Sequence, residues 1–211
     1  AYSGRNNSGR ATLELGRPSG TGDENGSLAE MRIESGSQVL VHGETRGRAY
    51  VGLAYEDKPE GADATLIIDG TGSSLTVRSD TLVASENPAE GKKGVSVSDA
   101  KVFIGAPKLF GGGNANATVK VQNGGTLTAT EIWVGEGGFL GGSGGTIFGD
   151  VINDGGIIGP GSSPGTLVIN GDYTQTETGR LVMEVFGAAA GEFDVLDVTG
   201  KIDLTDTIVE L

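Results

Sequence analysis

The chain has no cysteine, one histidine and one tryptophan among its 211 residues, and aromatic residues make up only 5% of it. Without cysteine there is no disulfide framework, no thiolate metal site and no cysteine nucleophile. The single histidine, His42, excludes metal ligation by a histidine cluster. It stands between Val41 and Gly43 at a strand end, and nothing beside it orients a Ser-His-Asp arrangement. Basic residues are scarce as well. Fifteen Lys and Arg against 28 Asp and Glu give a formal charge of −13, which repels phosphate backbones and anionic membrane surfaces. No run of about 18 apolar residues occurs to span a membrane as a helix. No segment sustains a 3.6-residue apolar period, and glycine interrupts nearly every candidate window, so helices are not expected.

What the chain does have is 39 glycines and recurrent runs of Val, Ile, Leu and Thr. The glycines follow no three-residue period, which excludes collagen. The runs alternate, as in Thr65-Leu66-Ile67-Ile68 and Ser74-Leu75-Thr76-Val77, and suit a half-buried pleated surface. Four of them end in a turn and lead to a second run: Met31 to Gly36, Leu66 to Gly70, Val95 to Asp99 and Val119 to Gly124. Aligned on Ile33, Ile68, Val97 and Val121 they recur at intervals of 35, 29 and 24 residues, the range of a solenoid or array.

A further run in each repeat ends in a large apolar residue followed by small ones: Tyr50-Val51-Gly52, Leu82-Val83-Ala84, Phe103-Ile104-Gly105 and Trp133-Val134-Gly135. Stacked repeats would turn these into an aromatic and aliphatic ladder within the core, a structural role for Tyr50 and Trp133 in preference to sugar stacking. Polar stretches follow at Ala54 to Ala64, Ser85 to Gly94 and Ala106 to Asn116. They are expected on one edge, where repeat proteins place variable loops and contacts. The organisation expected is an N-terminal segment over 1–30, serving as a cap or a donated strand through Ala11 to Leu15; repeats with longer insertions over 31–136; and denser glycine-rich rungs over 137–211.

The glycine-rich part carries a family resemblance. Gly138 to Ile147 is followed by Gly149-Asp150-Val151-Ile152-Asn153-Asp154-Gly155-Gly156, then by Gly159-Pro160-Gly161-Ser162-Ser163-Pro164-Gly165-Thr166-Leu167 and Ile169-Asn170-Gly171-Asp172-Tyr173. Phe193-Asp194-Val195-Leu196-Asp197-Val198-Thr199-Gly200 supplies a last element. This pattern resembles the C-terminal part of autotransporter-type passenger domains and related extracellular bacterial β-helix repeats, and Ala64 to Leu75 and Asn123 to Leu127 extend it upstream. The resemblance implies an all-β, right-handed parallel β-helix with glycine-rich turns, secreted or displayed on the surface of a Gram-negative bacterium. The end at Thr207 to Leu211 departs from the family, whose passengers continue, and is read as that of an excised or matured fragment.

Chemistry is sparse along the chain. The glycine runs Gly111 to Gly113 and Gly141 to Gly145 lack the Gly-Lys-Ser/Thr of a phosphate cradle, and turns explain them. Calcium has no tandem glycine-Asp repeat to bind it, only an acidic face through Asp194, Asp197, Asp203 and Asp206. Glu34 and Asp69 occupy matching positions of neighbouring repeats, as paired carboxylates of a polysaccharide-cleaving enzyme would, and as any acidic strand face does. No catalytic, cofactor or metal residue is assigned, and no cofactor is expected. The function expected is that of a non-enzymatic structural or adhesive rod. Its partners would be further copies, through end-to-end strand pairing, or host or matrix glycans and proteins at the edge loops; nucleic acid is excluded, and no membrane span is expected. A carbohydrate-binding or carbohydrate-cleaving β-helix is the alternative, which exposed aromatics grouped with acids on one lateral face would support.

Overall fold

A computed structural model of the chain describes residues 10–16, 29–43, 46–52, 60–79, 82–84, 96–98, 100–106, 114–161, 164–204 and 208–210. Among these residues the protein is all-β and contains no helix. In chain order the strands begin with β1 (Arg10–Leu15), β2 (Ala29–Ile33), β3 (Gln38–Gly43) and β4 (Arg46–Val51). The second unit holds β5 (Glu60–Asp69), β6 (Ser74–Ser79), β7 (Leu82–Ala84), β8 (Ser96–Ser98) and β9 (Ala100–Ile104). Next come β10 (Asn114–Gln122), β11 (Thr126–Gly135), β12 (Gly138–Gly141) and β13 (Gly145–Asp154). The last are β14 (Ile157–Gly159), β15 (Thr166–Asn170), β16 (Tyr173–Gln175), β17 (Arg180–Val182), β18 (Val195–Val198), β19 (Ile202–Asp203) and β20 (Ile208–Glu210).

Two large sheets organise these strands, and every pairing within them is parallel. The 7-stranded sheet runs β2-β5-β10-β12-β14-β17-β20. The 11-stranded sheet has β1-β4-β9-β11-β13-β15-β18 as its main path, with β3 and β6 joined to β11, and β16 and β19 joined to β13. Each unit therefore contributes one strand to the smaller sheet and then one or two to the larger. In β11 and β13 a single bent strand covers both places, through the register shift between Thr128 and Glu131.

The alternation of the sequence explains the packing, because successive side chains of a strand point to opposite faces. In the smaller sheet Met31, Leu66, Val119, Leu140, Ile158 and Leu181 fall on one register line, and Ile33, Ile68 and Val121 on the next. In the larger sheet Val39, Leu75, Leu127, Ile147 and Ile169 form a third line. All pack into one core, and most are fully buried. Corners between the sheets need left-handed backbone, supplied at Ser35-Gly36, Gly70, Asn123-Gly124, Gly142 and Gly144. At Gly145 a Cβ would lie 2.1 Å from the Val121 carbonyl oxygen, so the close approach of these corners admits only glycine there.

Three expectations change against this framework. Val97 lies in β8, which pairs antiparallel with β7 outside both large sheets, so the spacings of 29 and 24 residues on either side of it mark a two-stranded excursion and not repeats, and Ile68 pairs directly with Val121. The β-branched alternation of Val95 to Asp99 fits either pairing, which is why the sequence does not separate them. Leu82 to Ala84, as β7, leaves the ladder for the same reason, and Phe103 takes its place in the second unit. The inserts also shorten and divide: Glu60 to Ala64 and Asn114 to Asn116 belong to β5 and β10, so that 53–59 and 107–113 each link a strand of the larger sheet to the next strand of the smaller one, whereas 85–95 joins β7 to β8. These three linking segments lie outside the described residues, as do most of 1–30 and Asp206. Within 1–30, β1 pairs with β4 of its own chain and buries Ala11.

Candidate functional site

The ladder of Tyr50, Phe103 and Trp133 exists, but on the outer side of the larger sheet. Val51, Ile104 and Val134, one residue further along, are fully buried members of the core, and the pleat turns their aromatic neighbours outward. Tyr50 pairs with Phe103 and Phe103 with Trp133 in register, on adjacent strands about 4.8 Å apart. The Tyr50 and Phe103 rings stack with centroids 5.3 Å apart and planes 12° from parallel. The Arg48 guanidinium carbon stands 5.2 Å from the Phe103 centroid. Phe103 is fully buried in this stack, while Tyr50 and Trp133 are half-buried.

A second outer line runs beside the aromatic one, through Arg48, Lys101, Glu131 and Asp150. Glu131 ties the two lines together, since its Oε2 accepts from Trp133 Nε1 at 2.8 Å and meets Lys101 Nζ at 2.8 Å. Lys101 and Glu131 are 24% and 27% exposed, so their charges are partly desolvated and the indole is held in one orientation. Aromatics and acids thus share one lateral face. The Tyr50 and Phe103 rings, however, stack on each other, and of the three Trp133 is the ring bonded to a carboxylate.

Other carboxylates work as clasps between units. Asp69, at the corner after β5, accepts from Asn123 Nδ2 at 2.8 Å and Gln122 Nε2 at 3.0 Å, both from the next unit. These bonds hold its carboxyl below the ordinary range. Asp150 Oδ1 accepts from the backbone N–H of Asp172, and Asp172 Oδ1 from that of Lys201, at 2.9 and 2.8 Å. Glu34 Oε1 accepts from Arg32 Nε at 2.6 Å, and the Arg32 charge also acts on Asp69, whose own hydrogen bonds come from the next unit. Ser73, fully buried, accepts from the Gly36 backbone N–H at the same corner.

The acidic face divides too. Asp197 and Asp203 are exposed, whereas Asp194 is buried and accepts from Gly165 N and Glu184 N at 2.7 and 2.9 Å. It clamps the base of a finger between β17 and β18. Val185 bridges Phe193, and Phe186 N and Gly187 N both donate to the Glu192 carbonyl. Phe186 projects from this finger, 70% exposed. The period-2 pattern marks Asp194 as an outward residue of a strand, but β18 begins only at Val195, and the residue before it serves as a buried acceptor. Among the described residues no three acidic or histidine side chains converge as a metal-binding group, and His42 stands half-buried level with Arg78.

Comparison with protein-family models, with curated proteins and with solved structures gives no match.

Proposed function

We propose that the chain is a right-handed parallel β-solenoid of the autotransporter-passenger type, serving as a non-enzymatic structural or adhesive rod on a Gram-negative bacterial surface. One observation carries this reading: parallel register is kept from unit to unit across both large sheets, with core lines such as Met31-Leu66-Val119-Leu140-Ile158-Leu181 unbroken along the strand order. Such an arrangement stacks units in one dimension, and each unit is stabilised chiefly by its neighbours. The polar inserts are, on this reading, where matrix glycans or proteins would bind. Parallel strands at both ends of each sheet order let a second copy, translated along that order, add strands without reversing direction, which supports end-to-end assembly.

Electron microscopy and light scattering of the purified chain, at low and millimolar calcium, test the proposal. Elongated particles or ordered filaments are the expected result, and compact spherical particles would overturn it. A second reading, carbohydrate binding, draws support from the half-buried Trp133 held by Glu131 and Lys101 on the lateral face. A glycan array probed with the native chain and with Trp133→Ala separates the two, since adhesion through the inserts survives that substitution and sugar stacking on the indole does not.

A further inference from the structure

The innermost line of the larger sheet changes character along its length. Val51, Ile104 and Val134 are followed in register by Asn153 and then Gln175, and the adjoining line Ala49-Val102-Ile132-Val151 leads to Tyr173 and then Ile202. Tyr173 and Asn153 are fully buried and Gln175 is 2% exposed, so three polar side chains meet inside an otherwise apolar core. Their donors are well placed. Tyr173 Oη donates to Gln175 Oε1 at 2.5 Å, and Gln175 Nε2 donates to the Gly179 carbonyl at 3.1 Å. Asn153 Nδ2 donates to Gln175 Oε1 at 3.3 Å and to the Arg180 carbonyl at 3.1 Å.

The amide orientation follows from these partners. Rotating the Asn153 amide would set its oxygen against two acceptor oxygens, so the nitrogen must face Gln175 and Arg180. Its oxygen, Oδ1, is then a fully buried acceptor that receives no hydrogen bond from a protein group. Buried acceptors of this kind are rare, and ordered water is their usual partner.

We infer that Asn153 Oδ1 is part of an internal hydration site, in which one water molecule bridges it to the hydroxyl oxygen of Tyr173. The water donates one proton to each, since Tyr173 Oη spends its own proton on Gln175 and keeps lone pairs to accept. A cation does not suit the place. The three side chains are uncharged, and a buried charge without a counter-charge is costly. The bridge joins β13 to β16, and so two successive units, from within the core.

A high-resolution crystal structure, together with water-selective nuclear Overhauser spectra of the 15N-labelled full chain, tests the inference. Ordered density within about 3 Å of Asn153 Oδ1 and Tyr173 Oη is expected, with a cross-peak from the Asn153 side-chain amide to a long-lived water. Absence of both, or a protein donor found on Oδ1, overturns it. In Asn153→Leu the density and the cross-peak are lost. Tyr173→Phe removes one of the two partners and the hydroxyl proton, so a cross-peak that persists there with shortened residence distinguishes water from hydroxyl exchange; if either variant fails to fold, the measurement on the native chain decides alone.

Discussion

Raising the pH should destabilise this protein through one residue. Burial pushes the Tyr173 phenol from its ordinary 10.0 up to about 12, and the neighbouring Asn153 amide offsets only part of that. The unfolded chain gives up this proton first, so between pH 10 and 12 the folded state binds more protons than the unfolded one. Stability from this group is fully present below pH 10 and is lost as the pH rises through the folded value. Two pH units at about 1.4 kcal/mol each give about 3 kcal/mol. Guanidinium unfolding of the native chain and of Tyr173→Phe at pH 8, 10, 11 and 12 measures it. The variant should lose about 1 kcal/mol at pH 8, for the bond to Gln175, yet resist alkali better, so that the two stability curves cross at about pH 11 and the variant is the more stable at pH 12. Tyrosinate absorbance should show a late component in the native chain that the variant lacks. Parallel curves, with no late component, would refute the reasoning.

Other perturbations probe the core, the corners and the clasps. Leu127→Ala empties a fully buried position between Leu75 and Ile147 and should cost about 2–5 kcal/mol by chemical denaturation. Gly142→Ala should cost more than Gly191→Ala in the same assay. Both glycines have positive φ, worth about 1 kcal/mol, but only at Gly142 would the new Cβ lie 2.2 Å from the Val121 carbonyl oxygen. Asp69→Asn should flatten the acid side of the stability curve. Its carboxyl is held below the ordinary value of 3.8, so its contribution is present above that value and fades as pH falls through the lower folded one. Urea melts at neutral and strongly acid pH compare the two proteins. Asp194→Ala should leave the Gly165 and Glu184 amides without their acceptor and raise hydrogen exchange at both, at a cost of about 1–3 kcal/mol.

The all-β class was legible in the alternation of Val, Ile, Leu and Thr, because period 2 states which residues turn inward, and the stacked units in the recurrence of such runs. The same alternation cannot state what a strand pairs with. Val95 to Asp99 therefore resembled Val119 to Gln122, although one joins an antiparallel excursion and the other the smaller sheet. The aromatic ladder was visible as a recurrence, but its side of the sheet depended on a one-residue offset between Phe103 and Ile104. Large size alone suggested burial, and ring stacking on the outer face provided it. The polar core was present as Tyr173-Thr174-Gln175, where alternation puts both polar residues on one side, but only the register with Val151 and Asn153 places that side inward. Asp69 stood out in sequence as half of an acidic pair, and its partners, Gln122 and Asn123, lie far along the chain.

Cohesion between successive strands is uneven, and that has a mechanical consequence. Backbone bonds between parallel strands lie along the strand order, so tension applied in that direction loads all the bonds of one junction together. The junction of β11 with β13 pairs eight residues between Thr126 and Gly135, whereas the last junction of the same sheet pairs four between β15 and β18 and two between β16 and β19. Pulled at its ends, the molecule should therefore yield first at its C-terminal strands and keep its middle intact, releasing length stepwise while the broad central junctions continue to bear load.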